Sequence, residues 1–138
     1  MPTYPSDDKI HFLVCEDARP EPGNKHTLLG VFGGNDITIN DAPVENGALP
    51  SIAFFFKFND GEGTFSMRAN ILTPDGKDLL SGKSGDTEKP AIKNPGEALI
   101  VVLKVVPFPV QVGSYTVRIS LDGHAYERNF GVRFAVPK

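Results

Sequence analysis

Tryptophan is absent from these 138 residues, cysteine occurs once, and basic side chains are outnumbered, with 14 Lys and Arg against 17 Asp and Glu. Each shortage closes a class of explanation. A lone Cys15 leaves no partner for an intrachain disulfide, so the fold rests on burial and needs no oxidising compartment. A net charge of −3 supplies no field to draw in phosphate backbones or anionic lipid. Long apolar runs are also missing: the longest, from Ala98 to Val106, contains Lys104 and falls far short of the ~20 residues that span a bilayer as a helix. The first eight residues lack the basic start and apolar run of a secretory signal. The expectation is a cytoplasmic protein with neither nucleic acid nor membrane among its partners.

Glycine and proline, by contrast, are plentiful, at 14 and 12 residues. They punctuate the chain every few positions, which breaks helices and suits short strands joined by tight turns. At this length one domain over 1–138 is expected, with residues 1–8 loosely ordered, and folding should bury roughly 68% of the unfolded chain's surface.

Strand periodicity is legible throughout. Ile10 to Cys15 sets Ile10, Phe12 and Val14 on one face and His11, Leu13 and Cys15 on the other. His26 to Phe32 and Asp36 to Asn40 follow, then a loop over Asp41 to Pro50. Ser51 to Phe58 is apolar on both faces, as a mid-sheet strand is. Phe65, Met67, Ala69 and Ile71 alternate with polar residues, and a two-residue turn at Asp60-Gly61 would set Phe56 opposite Phe65 and Phe54 opposite Met67. A short piece spans Lys77 to Leu80, a mobile loop spans Gly82 to Gly96, and Glu97 to Val106 reads as another central strand.

The clearest signal lies near the C-terminus. Asp122-Gly123 is a two-residue hairpin turn. Folding there sets Ile119 opposite Tyr126, Tyr115 opposite Phe130, Thr116 opposite Asn129 and Arg118 opposite Glu127, so apolar meets apolar and charge meets countercharge. Arg128, opposite Val117, is the one misfit, and Gly131 is a candidate bulge. Gly113-Ser114-Tyr115-Thr116-Val117 resembles the start of the penultimate strand in immunoglobulin-like sandwiches, where a tyrosine packs at the corner. The sum is an all-β, antiparallel, immunoglobulin-like β-sandwich of roughly eight or nine strands.

No catalytic, cofactor-binding or metal-binding residue stands out. Cys15, followed by Glu16, Asp17, Arg19 and Glu21, could be a nucleophile activated by His11 or His26, but it reads better as a buried small side chain on a strand. The histidines, His11, His26 and His124, fit no zinc spacing. Asp60 and Glu62, with Asp36, Asp41 and Asp75, could pool at one end of a sandwich around calcium, yet turn geometry already explains the Asp-Gly pairs. Gly30, Gly33 and Gly34 lack the lysine, hydroxyl and helix of a phosphate loop.

Cys15-Glu16-Asp17-x-Arg19-x-Glu21-x-Gly23-x-Lys25, then Leu28-Leu29-Gly30-Val31-Phe32-Gly33 and Asp36-Ile37, is similar to the start of a bacterial family of about this length, a domain of unknown function. The resemblance extends to Phe54-Phe55-Phe56 and to the hairpin from Tyr115 to Gly123. It implies a bacterial, cytoplasmic protein and brings no activity with it. The function expected is a non-catalytic sandwich that binds an unknown protein partner or its own copies, through loops or a sheet edge. The alternatives are a thiol or hydrolytic enzyme centred on Cys15, and a calcium- or sugar-binding module using the end loops.

Overall fold

Side chains alternate across a strand, so a strand apolar on one face needs a second layer to cover it. In the computed structural model that layer is a second sheet. The structure describes residues 3–23, 25–33, 36–39, 48–80, 91–92 and 97–134. Among them are twelve strands and one 3-10 turn at Asp7–Lys9: β1 (Ile10–Glu21), β2 (Lys25–Val31), β3 (Asp36–Ile39), β4 (Ala48–Leu49), β5 (Ile52–Phe58), β6 (Gly63–Thr64), β7 (Met67–Leu72), β8 (Ala91–Ile92), β9 (Leu99–Val105), β10 (Phe108–Pro109), β11 (Gly113–Leu121) and β12 (His124–Phe134). Eight of them build two four-stranded sheets, in the orders β2-β1-β5-β9 and β3-β12-β11-β7. The all-β, antiparallel, layered expectation holds. One pair departs from it, since β3 runs parallel to β12.

The core lies between the sheets. Ile52, Phe54, Phe56 and Phe58 of one sheet face Ile71, Val117, Ile119, Phe130 and Val132 of the other, all of them buried. Rings meet across the gap, with Phe54 and Phe130 centroids 5.0 Å apart and Phe58 and Tyr126 5.3 Å apart.

The expected Asp60-Gly61 hairpin does not form. β5 pairs with β1 and β9, while β7 pairs with β11 in the opposite sheet. The phenylalanines of β5 and the Phe65-Met67-Ala69-Ile71 row face each other through the core rather than side by side. A hairpin would have placed both rows on one sheet and left them without a cover, whereas crossing between sheets buries both. Two loops also contain strands. Ala48–Leu49 pairs with Phe108–Pro109, and Ala91–Ile92 pairs with Gly63–Thr64. The Lys77 to Leu80 piece forms a single bridge, Leu72 to Asp78, rather than a strand. Residues 41–47, 82–90 and 93–96 lie outside the described residues.

The C-terminal hairpin forms in the expected register. Arg118 faces Glu127, with Nη2 2.9 Å from Oε1, and Tyr115 faces Phe130. Asp122 and Gly123 both take positive φ, at 50° and 87°. Pairing runs unbroken through Gly131, opposite Ser114, so no bulge forms there. Arg128, the misfit, extends to the N-terminal segment, where its guanidinium donates to the Asp7 carboxylate at 3.0 Å and to the Asp7 carbonyl at 2.7 Å. A long side chain can leave a core-facing position at a sheet's open edge while its stem stays packed.

Residues 3–9 close this end of the sandwich. Thr3 exchanges two backbone hydrogen bonds with Glu62, Asp60 accepts from both the amide and the hydroxyl of Ser6 at 2.8 Å, and the Tyr126 hydroxyl donates to the Pro5 carbonyl at 2.7 Å. The opposite end is tied by Tyr115. Its fully buried hydroxyl donates to the Pro109 carbonyl and accepts the Gln111 N–H, each at 2.8 Å. Tyr115 thus ties β11 to the backbone a few residues upstream of it.

Two outcomes follow. Tyr115→Phe strands a backbone N–H and carbonyl, and should cost about 1–2 kcal/mol in urea denaturation. Burial pushes the Tyr115 and Tyr126 phenols above their ordinary value of 10.0. Above that value the unfolded chain releases protons that the folded one retains. Stability is therefore full below about pH 10 and falls as pH rises beyond it, which urea midpoints on either side will show.

Candidate functional site

Cys15 sits in β1 between Val31 of β2 and Ala53 of β5, and it is fully buried. Its Sγ lies 3.6 Å from the Ala53 carbonyl. Burial, and then the Asp17 carboxylate, push its pKa up, against the pull of Lys104 and an Asp17 backbone hydrogen bond. A thiolate nucleophile needs the opposite setting, exposed and electropositive. Neither histidine reaches it in the way the activated reading needs. His11 lies beside Asn59, and the His26 ring packs edge-on against Phe55, with centroids 5.8 Å apart.

That ring contact reveals how Cys15 is covered. His26 pairs with Pro20, while Phe55 pairs with Leu13 on the outward face of the sheet. Seven residues of straight strand separate Leu13 from Pro20, about 23 Å at ~3.3 Å each. Side chains cannot bridge that distance. The ribbon of β1 and β2 must therefore bend back over its own sheet, and the contacts show that it does. Ala18 and Leu28 of the ribbon pack with Cys15, Ala53 and Val102 in a small apolar cluster separate from the main core. Polar contacts rim it: Lys104 Nζ lies 3.0 Å from Asp17, and the Ser51 hydroxyl donates to the Glu16 carbonyl at 2.8 Å.

The bend falls between the Cys15–Val31 and Asp17–Leu29 pairs. There Gly30 takes φ +64°, and the Glu16 side chain lies where a Cβ on it would stand. Glycine within a strand pattern signals close backbone approach or a bend, so this feature had a sequence signal that the phosphate-loop comparison passed over.

Asp60, Asp75 and Asp122 are each held by local hydrogen bonds. Asp60 is held by Ser6, which keeps its pKa low although burial alone would raise it. Asp75 accepts from the Thr73 hydroxyl. Asp122 accepts from the Ser66 amide at 2.7 Å and the Tyr4 hydroxyl at 3.0 Å. Each works as a turn or loop cap, consistent with the turn-geometry reading. Asp41 and the side chain of Asp36 lie outside the described residues. Among the described residues no group of three or more His, Cys, Asp or Glu could hold a metal ion. No helix among them is long and apolar enough to cross a membrane. An open cleft of about 430 Å³ is lined by Ser66, Arg68, Ser120, Asp122 and Gly123, with neither histidine nor cysteine in its wall.

The surface feature that periodicity did not single out is the outer edge of β2. Among the described residues no strand pairs with it. Leu29 and Val31 on β2 are 38% and 46% exposed, and Leu13 on β1 is 38% exposed. The edge of β7 in the other sheet is closed instead: the Leu79 amide donates to the Ile71 carbonyl at 2.8 Å, and the Asp78 carboxylate accepts from Asn70 and from the Ile71 amide. Alternation shows that a strand exists and which faces it has, but strand order decides which strand is left at an edge.

Residues 10–130 match the model of a family of unknown function (DUF6941). No curated protein matches the chain.

Two measurements check the site. Cys15 should react with a thiol reagent far more slowly in native protein than in denaturant, with a titration midpoint above that of a free thiol. Calcium should leave the melting temperature unchanged, whereas a specific ligand at 100 times its dissociation constant would stabilise by about 2.7 kcal/mol.

Proposed function

The chain belongs to this family of unknown function, DUF6941, and we propose that it is a non-catalytic, immunoglobulin-like binding domain of the bacterial cytoplasm whose β2 edge receives an extended polypeptide strand. The observation that carries the reading is the apolar edge of β2, which no strand pairs among the described residues. An open edge offers a row of free backbone donors and acceptors to any strand that approaches, and proteins usually blunt such edges with charge, proline or a covering segment. This protein covers β7 with residues 78–80. On β2 it displays Leu29 and Val31.

Strand addition uses those two properties together. Main-chain hydrogen bonds supply affinity, and alternate side chains supply selectivity. Lys25 and Glu21, opposite each other at the far end of the ribbon, mark where a bound strand would meet charge. The immunoglobulin-like part of the reading is supported by the tyrosine corner at Tyr115. The non-catalytic part is supported by the burial and raised pKa of Cys15.

The incoming strand comes from a second copy or from another protein, and one substitution separates these sources. Val31→Lys places a charge on the exposed edge and should leave the unfolding free energy within about 0.5 kcal/mol of the parent's, as exposed substitutions do. If the occupant is a second copy, sedimentation will show a concentration-dependent dimer that Val31→Lys abolishes. If it is another protein, the chain will be monomeric, and a partner captured by pull-down will be lost on the same substitution. A dimer or partner that survives both Leu29→Lys and Val31→Lys would overturn the assignment of β2.

A further inference from the structure

The bent ribbon has energetics unlike the rest of the molecule. Beyond Cys15, β1 pairs only with β2, because pairing with β5 covers Ile10 to Cys15 and stops there. Among the described residues, the folded-back part meets the body through the small cluster around Cys15, the His26–Phe55 ring contact, a half-exposed ion pair and a hydroxyl hydrogen bond. Against these stands a cost. The Nδ1 atom of His26 is buried without a hydrogen-bond partner among the described residues. Either ring tautomer leaves it unsatisfied, as a donor without an acceptor or an acceptor without a donor. A buried orphan of this kind forfeits hydration that it would regain on opening.

We infer that the β1–β2 ribbon is a hinged flap. It lifts as a unit about the Glu16–Gly30 position and uncovers the apolar strip of Cys15, Ala53, Phe55 and Val102 while the sandwich stays folded. The inference does not rest on strand binding at the β2 edge. Three observations converge on it. The bend is localised at Gly30, in a backbone conformation that few other residues adopt readily. The cluster beneath the ribbon is separate from the main core, so parting it leaves the inter-sheet packing intact. Opening also rehydrates the His26 nitrogen, which narrows the gap between the closed and open forms. Regions with few buried contacts open with free energies well below the global value.

Cys15 is a built-in reporter, because its thiol is fully covered with the ribbon down and lifting the ribbon would expose it. The experiment measures Cys15 modification by a disulfide reagent in native protein at rising sub-denaturing urea, alongside global unfolding by circular dichroism. Local opening exposes little surface, so the labelling rate should change little with urea where the global equilibrium changes steeply. Ile119→Val, in the opposite sheet, should raise the global unfolding constant about fivefold and leave labelling unchanged. His26→Phe keeps a ring against Phe55 and removes the orphan nitrogen, so it should slow labelling by about tenfold. Labelling that follows the global urea slope, or that rises with Ile119→Val, overturns the flap. Labelling indifferent to His26→Phe overturns the role given to the buried nitrogen, and with it the proposed balance between closed and open forms. The urea slope is read on the unaltered protein, so the test stands even if a variant does not fold.

Discussion

Phe54 and Phe130, ring centroids 5.0 Å apart, join two sheets that no disulfide ties together. Phe108 and Tyr115 extend this contact, with Phe108 6.2 Å from both Phe54 and Phe130, and Tyr115 stacked on Phe130 at 4.9 Å. With one cysteine and no tryptophan, the protein depends on phenylalanine and tyrosine for the large, shape-specific part of its core. Phe54, Phe56, Phe58, Phe65, Phe108 and Phe130, buried in that core, do what disulfides and tryptophans do in other small sandwiches.

The layer explains why the termini of the core must be tied. Rings between sheets resist separation but fix sliding and end-fraying poorly, and polar groups supply the missing constraint. At one end the Tyr115 hydroxyl satisfies two backbone groups of the turn leading into β11. At the other, residues 3–9 lie across the sheet ends and hydrogen-bond to Asp60, Glu62, Tyr126 and Arg128. Two of the carboxylates that resembled a cation site in sequence, Asp60 and Asp75, accept hydrogen bonds from Ser6 and Thr73 instead.

The surfaces left over differ in kind. The outward face of the β7-β11-β12 sheet alternates to Arg68, Asn70, Thr116, Arg118, Glu127 and Asn129, and is polar as an exposed face should be. The outward face of the other sheet carries Cys15, Ala53, Phe55 and Val102, and is too apolar to be left wet. The ribbon of β1 and β2 folds over it. Covering that face with a ribbon, instead of a third sheet or a helix, leaves β2 both at an edge and at the end of a hinge. The open edge, the exposed Leu29 and Val31, and the unsatisfied His26 therefore share one origin.

Local chemistry determined the strands themselves: alternation set which residues of Ile10 to Cys15, Ser51 to Phe58 and Met67 to Leu72 face inward, and Asp122-Gly123 set the register of the last hairpin to the residue. These are decided by neighbours two residues away or directly across a tight turn, so sequence contains them in full. Which sheet each strand joins is decided by what covers its apolar face. That is why Asp60-Gly61, an equally good turn by composition, passes the chain between sheets instead of pairing β5 with the next long strand. The same holds for Cys15. Its strand and face were legible, but its burial comes from Ala18, Leu28 and a bend at Gly30 that only the folded ribbon brings over it. Side-chain periodicity is a property of the chain, whereas strand order, edges and covered faces are properties of the packed whole, where burying one apolar face constrains every other.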